Sequence, residues 1–377
     1  MKQPNIAIIG AGIGGMAAAI ALDRIGASVR IFEQASAFKR VGAAINLTPN
    51  AVRILDWLGP GAALRNSAFS PEYRVSRSWD TGAVTSRMEM GPLAERKYGS
   101  PQLIVHRADL LSALEAALPP ASVQLGTRLT SVDQDEHQVH LQFQHGSRSS
   151  FDAVVAADGI HSTVRHIMFG DDESIYTGMA AYRAIFPRER LGTYEWNSFV
   201  KWWGPDTSSQ LVTAAVNQGR EMFMFATVRE PEPSRESWSA ECDIDALRRA
   251  FAGYHAEAQS VFAACDAPFK TALYVRPPLD RWVRGRVALL GDACHPMVPF
   301  MAQGGAMALE DAAILSRCLA EAADVPAAFL AYEAVRRPRA SLIQNASSNN
   351  DWLRADANAD WVYGYDAWKA ELKTETH

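Results

Sequence analysis

Near the N-terminus the residues Gly10-Ala11-Gly12-Ile13-Gly14-Gly15 carry the spacing G-x-G-x-x-G, and Glu33 follows eighteen residues after Gly15. Gly10 permits a tight turn, Gly12 lets a pyrophosphate approach the backbone, and Gly15 lets a helix pack closely on a strand. A helix opening there offers unpaired N–H groups and the positive end of its dipole to phosphate. Glu33 can then accept from the hydroxyls of an adenosine ribose, with Gln34 beside it. The chemistry implied is dinucleotide binding. This motif alone does not separate a flavin from a nicotinamide.

Three later segments narrow the choice. Ala156-Ala157-Asp158-Gly159-Ile160-His161-Ser162 is one, and Val105-His106-Arg107-Ala108-Asp109-Leu110 is another. The third, Gly291-Asp292-Ala293-Cys294-His295-Pro296, continues through Pro299 and Gln303-Gly304-Gly305 to Glu310-Asp311. Together with the glycine motif, these resemble the single-component flavin-dependent aromatic hydroxylases over nearly the whole chain.

The resemblance implies noncovalent FAD, NADH or NADPH as a transient reductant, and O2 as co-substrate. The product would be a hydroxylated small aromatic or N-heteroaromatic compound, with or without loss of a carboxylate, formed through a flavin C4a-hydroperoxide. It further implies cofactor contacts at Gly10, Gly12, Gly14, Gly15, Glu33, Gln34, Arg40, Arg107, Leu129, Asp158, Asp292, Gly304 and Gly305. Asn46 and Pro299 stand as the catalytic candidates. Arg165 accompanies Asp158 in a segment shared between flavin and nicotinamide phosphate. No second G-x-G-x-x-G and no redox cysteine pair occur, so a disulfide reductase with a separate nicotinamide domain is excluded. A flavin oxidase or dehydrogenase taking hydride directly from its substrate stays open, as does a non-catalytic flavin-binding protein.

Lys201-Trp202-Trp203, Asp351-Trp352-Leu353-Arg354 and Trp361-Val362-Tyr363-Gly364-Tyr365-Asp366 resemble the 6-hydroxynicotinate 3-monooxygenase branch of that family, and more distantly the salicylate hydroxylases. The departures fall where a substrate would sit. That branch has histidine at the positions of Asn46 and Phe300, another near Ser208 or Ser209, and a tyrosine near Phe223. A histidine can take the proton of a ring hydroxyl, whereas Asn46 can only orient. Hydroxynicotinate as the substrate is therefore in doubt. Tyr182, Arg183, Ser208, Phe223, Phe300 and Asn46 are the candidate substrate contacts. Arg183 is suited to a carboxylate, and His161 and Tyr182 are alternative bases by residue type.

These residues need elements to hold them. The apolar run Ile6–Ile9, the glycine turn, a helix over Met16–Ile25 and a second strand Val29–Phe32 read as a βαβ unit. A helix over Arg107–Ala117, short strands near 123–125, 129–133 and 139–143, and a buried strand 153–157 continue it. Aromatic, β-rich stretches between Gly178 and Val228 read as a mostly antiparallel sheet with one covered face. A buried strand at Val287–Leu290, a helix over Gly304–Ala320 and a last helix over roughly 326–353 follow.

The expected fold is thus α/β: a Rossmann-type FAD-binding domain (1–75, 101–175 and 273–322) interleaved with a smaller substrate domain (76–100 and 176–272), plus a C-terminal helical segment (323–377). In 377 residues, 48% are hydrophobic and 21% charged, with a net charge of -5. This balance gives no nucleic-acid footprint, and no apolar run spans a bilayer. Cys242, Cys265, Cys294 and Cys318 lie far apart and the histidines form no metal pattern, so no metal is expected. A cytoplasmic monomer or homodimer is the expectation.

Overall fold

The computed structural model describes residues 3–38, 43–170, 174–232, 240–241, 243–350, 352–354 and 358–372. Asn5–Ile9 forms a strand whose Ile6, Ala7 and Ile8 are fully buried, because it runs through the middle of a sheet covered on both faces. That six-stranded sheet has the order Val283–Arg284, Val287–Leu289, Ala153–Ala156, Asn5–Ile9, Ser28–Phe32, Val123–Gln124. It is parallel except for the hairpin at 283–289. The helix Ile13–Arg24 starts inside the glycine motif and buries Gly14 through Leu22. A Cβ on Gly14 would come within 2.5 Å of Leu290 and 3.1 Å of Ala308, so its absence sets how closely this helix approaches Gly304–Glu321.

An eight-stranded sheet has the order 240–241, Phe269–Val275, Ile175–Pro187, Glu221–Arg229, Gln210–Val216, Ser198–Trp203, Tyr73–Ser78, Val84–Glu89. Its strands pair antiparallel, except that 198–203 runs parallel to 73–78. Both of its faces are covered, which corrects the expectation of one. Ser198–Trp203 and Gln210–Val216 are buried at every position instead of alternating. Ala180, Tyr182, Ala184 and Phe186 pack with Leu247, Phe251, Val261 and Phe262, mostly from the short helices Ile244–Ala250 and Ala256–Ala264. The opposite face meets Ile104, Val298 and Phe300.

The strand pair Ala44–Leu47 and Leu103–His106 closes that second face. Leu47, Leu103 and Val105 point to the main core, and Ile104 points the other way into the apolar cluster. The last long helix, Val325–Asn349, opens with Asp324 accepting from Ala327 N at 2.9 Å. It stops before the expected 353 because Asn350 takes a left-handed conformation (φ 48°). The Asn350 side chain then accepts from Lys201 Nζ at 2.8 Å and donates to Thr207 O at 2.6 Å, which fixes the turn on the sheet.

Candidate functional site

Packing dictates two of the glycines in the opening turn and leaves a third free. Gly10 has φ +100°, and a Cβ there would meet Ala157 O at 2.5 Å; one on Gly15 would lie 2.0 Å from Gly10 O. Around Gly12 there is open space within 4 Å, at the mouth of the helix. Glu33 follows the second strand and accepts from Ala11 N and Ala35 N, each at 2.8 Å. Its carboxylate is thereby fixed beside the glycine turn with lone pairs to spare, and Gln34 next to it is exposed. Such a cradle can take a pyrophosphate with an adenosine at the Glu33 end.

Arg107 and Asp292 converge from distant parts of the chain. Arg107 opens the helix Arg107–Ala116, and Asp292 lies in the turn after the strand Val287–Leu289. Both are solvent-accessible, yet desolvation lowers the pKa of Arg107 and raises that of Asp292, while their mutual attraction opposes each shift. Accessible charged groups crowded by protein are what a deep cleft produces. A Cβ on Gly304 would lie 3.9 Å from Asp292 Oδ1, so the N-terminus of the helix Gly304–Glu321 opens onto the same cleft. Gly305 is next to it, with Ile13 as the nearest neighbour. The residues present therefore fit a dinucleotide flavin running from Glu33 to Gly304.

Asp158 has a more local role. Its carboxylate accepts from Ser162 Oγ at 2.5 Å and Val164 N at 3.1 Å, which organises the turn into the helix Thr163–Phe169. Desolvation raises its pKa against those hydrogen bonds. Arg165 is buried and donates to Ile160 O and Ala293 O, so it ties this turn to the 291–296 turn and does not project into the cleft. Leu129 buries its side chain in the main core, which leaves only its backbone for a ligand. Arg40 lies outside the described residues, as do Gly42, Cys242 and Asp351.

Purified protein is expected to carry one FAD per chain, released intact on denaturation; recovery of FMN alone would contradict the role given to Glu33. Arg107→Ala and Asp292→Ala should each weaken FAD retention by about 1–3 kcal/mol by leaving a buried polar partner unmatched. Unchanged FAD affinity in both, measured by titration of apoprotein, would remove them from the site.

One feature of the cleft was invisible in sequence: a buried ion network behind it. Arg336 donates to Glu310 Oε2 at 2.7 Å and Asp311 Oδ1 at 2.8 Å, with all three residues fully buried. Asp311 Oδ2 in turn holds His295 Nε2 at 2.6 Å and accepts from Gly291 N at 3.0 Å. Arg339 adds two bonds to Glu310 and reaches the carbonyls of Trp361 and Val362. Asn50 donates to Glu310 and to Gln303, the residue capping the Gly304 helix. Cys294, His295 and Asp311 have ligating atoms within 4.8 Å, but Arg336 already neutralises the carboxylate, which disfavours a cation. Glu310-Asp311 and the Arg336/Arg339 spacing were in the sequence; nothing there said that they meet. Cys294 and Cys318 are buried free thiols, and Cys265 is buried as well.

An apolar cluster of buried side chains adjoins the cleft and is the candidate ring chamber. Phe199, Val212, Phe225, Leu273, Val298 and Phe300 cluster with Ile104, and Phe223 packs on their edge. Arg183 lies on the same sheet face, beneath Phe225 (5.3 Å to the ring) and donating to Thr271 Oγ1 at 2.5 Å. Burial lowers its pKa to about 10, so it stays charged at neutral pH. Tyr182 points to the opposite face, among Ala180, Met224 and Leu247, because successive strand residues alternate; its candidacy as substrate contact or base is corrected. Ser208 sits in the turn after Trp203, where its N–H and hydroxyl both bond to Asp206, and Ser209 bonds to Tyr254. His161 is exposed. Asn46 shares the Ile104 side of its ladder, and Pro299 begins the short turn that carries Phe300. Gln102, which bonds to Asn46 at 2.7 Å, was not anticipated.

The family model described as FAD binding domain matches residues 3–347. Over 374 residues the chain is 41% identical to 6-hydroxynicotinate 3-monooxygenase of Bordetella bronchiseptica, covering 98% of this chain and 97% of that protein. The Pseudomonas fluorescens protein of the same name is 38% identical over 98% of this chain and 97% of its own. Among solved structures, Klebsiella pneumoniae HpxO complexed with FAD and uric acid superposes with TM-score 0.82 at 30% identity, covering 95% of this chain and 90% of that one. A salicylate hydroxylase substrate complex gives 0.83 at 26% identity over 97% of both chains.

Proposed function

Because the chain belongs to the FAD binding domain family, we propose that it is an FAD-dependent, NAD(P)H-consuming monooxygenase hydroxylating a small aromatic or N-heteroaromatic ring. One observation carries the reading. The single segment 291–305 carries both Asp292 of the dinucleotide cleft and Val298 and Phe300 of the apolar cluster, which supports a reading in which a redox group held at Asp292 would lie beside the ring. The α/β architecture with mixed sheets is the one found in FAD-bound hydroxylase structures.

FAD, where bound, would supply the redox chemistry between NADH or NADPH and O2. The chain does the rest. Gly12 would leave room for the pyrophosphate where Gly10, Gly14 and Gly15 close the turn, Glu33 and Gln34 would flank the adenosine, Arg107 and Asp292 would hold the middle of the cofactor, and Asp158 organises the turn beside it. N–H groups at Gly304 and Gly305 stabilise negative charge at the helix mouth. Phe223, Phe225 and Phe300 keep water from the ring, Arg183 meets a substrate carboxylate, and Asn46 orients the ring. Pro299 fixes the turn between cofactor and ring.

The cofactor-binding unit of this reading is 1–75, 101–175 and 273–322, with 76–100 and 176–272 as the substrate unit and 323–377 as the C-terminal segment. The reading takes the protein as a cytoplasmic monomer or homodimer, and a net charge of -5 offers no footprint for nucleic acid. Among the described residues no helix is long and apolar enough to cross a membrane.

Stopped-flow reduction tests the reading. NADH or NADPH should bleach the flavin rapidly when a ring compound is present, and air should then yield a product one oxygen heavier. Bleaching by the ring compound alone, without NAD(P)H, would make the protein an oxidase or dehydrogenase.

A further inference from the structure

Two amides in the chamber wall lack half of their hydrogen bonds. Asn46 Oδ1 accepts from Gln102 Nε2 at 2.7 Å. Asn46 Nδ2 and Gln102 Oε1 are left buried with no partner, and Gln102 is wholly shielded from solvent. Amide oxygen and nitrogen can be exchanged in assignment, yet turning both groups over leaves the same remainder: one NH2 and one C=O. Direction comes from the ladder. Asn46 pairs with Ile104, which belongs to the cluster containing Phe225, Val298 and Phe300, whereas Leu47, Leu103 and Val105 face the main core.

A buried donor or acceptor without a partner is costly and uncommon. A donor and an acceptor held together beside the apolar cluster of Ile104, Phe225, Val298 and Phe300 match a ligand that supplies both complements. We propose that Asn46 and Gln102 form a specificity-determining pair that binds one neutral donor-and-acceptor group on the substrate ring, either a protonated hydroxyl or the N–H/C=O edge of a lactam. This rests on the proposed reading of the chamber as the ring pocket.

The chemistry is selective. A ring hydroxyl donates to the open C=O and accepts from the open NH2. A phenolate has no proton to donate, so it leaves the carbonyl facing a negative oxygen. Neither amide takes up a proton at ordinary pH, so the pair holds a ring neutral where an imidazole would deprotonate it.

The test uses the holoenzyme and the perturbation of flavin absorption on titration, which reads binding without turnover. Matched probes separate the two chemistries: 4-hydroxybenzoate against 4-fluorobenzoate and 3-hydroxybenzoate against 3-fluorobenzoate for the hydroxyl, and 6-hydroxynicotinate against nicotinate for the lactam. In at least one pair the hydroxyl or lactam ligand should bind about tenfold or more tightly, and affinity for a hydroxyl ligand should fall as pH rises through its phenol pKa. Gln102→Leu and Asn46→Leu should each abolish the preference by weakening only that ligand, with Gln102→Met as the less disruptive variant and FAD retention as the control for folding. Equal affinities within every pair, or a preference that survives all three substitutions, overturns the inference while the monooxygenase reading stands. A holoenzyme that binds none of the ring compounds overturns both.

Discussion

Arg336→Met should lower the free energy of unfolding by about 3–5 kcal/mol, because removing one partner of a buried ion network strands the charges it neutralised. Glu310 and Asp311 are fully buried, and desolvation alone would raise their pKa values. Both are nevertheless lowered, Glu310 by Arg339 and Arg336 and Asp311 by His295 and Arg336. A depressed carboxylate contributes stability that is present above its unfolded pKa of about 4 and is lost as pH falls through the lower native value. In the variant, Arg339 and His295 remain as partial partners while desolvation pushes the carboxylates up, so the folded state holds a proton that the unfolded state has released. The penalty then grows as pH rises from about 4. The gap between wild type and variant should therefore be widest near neutrality and narrow on acidification. Denaturant melts at several pH values check this, and a constant gap would assign the loss to packing alone. FAD affinity should fall as well, since Asp311 Oδ2 holds Gly291 N and so sets the turn that carries Asp292.

The second large effect concerns substrate choice. Asn46 and Phe300 contribute an amide and an apolar ring to the chamber, and neither can take a proton from a substrate. A substrate that must ionise before attack is poorly served there, because a buried charge without a partner is costly. Introducing Asn46→His together with Phe300→His should raise turnover of 6-hydroxynicotinate relative to the native substrate, by about 10²-fold or more if one imidazole acts as general base. A new ionisation near neutral pH should appear in the rate profile. Steady-state kinetics with product quantified against NAD(P)H consumed provides the check. Efficient, coupled turnover of 6-hydroxynicotinate by the wild type, at about 10⁴ M⁻¹s⁻¹ or above, would show that histidines are dispensable here, despite the similarity to enzymes of that name.

The residues that the sequence by itself determined are those whose function is complete within one short stretch of chain. Gly10 to Gly15 and Glu33 declare a dinucleotide cradle because strand, turn and helix start form from contiguous residues, and the required conformations, such as φ +100° at Gly10, belong to residue type. The 156–162 and 291–305 segments, being equally local, marked the family. Tertiary structure alone decided what depends on register and on contacts between remote elements. Neighbouring Tyr182 and Arg183 had equal claims until the pairing of 175–187 with 221–229 sent one to the helical face and the other to the chamber. Arg336 and His295 meet Asp311 from different elements, and Gln102 meets Asn46 across fifty-six positions. No periodicity records such meetings, because a side chain's type fixes what it can bond, while only the packing of the whole chain brings its partner within reach.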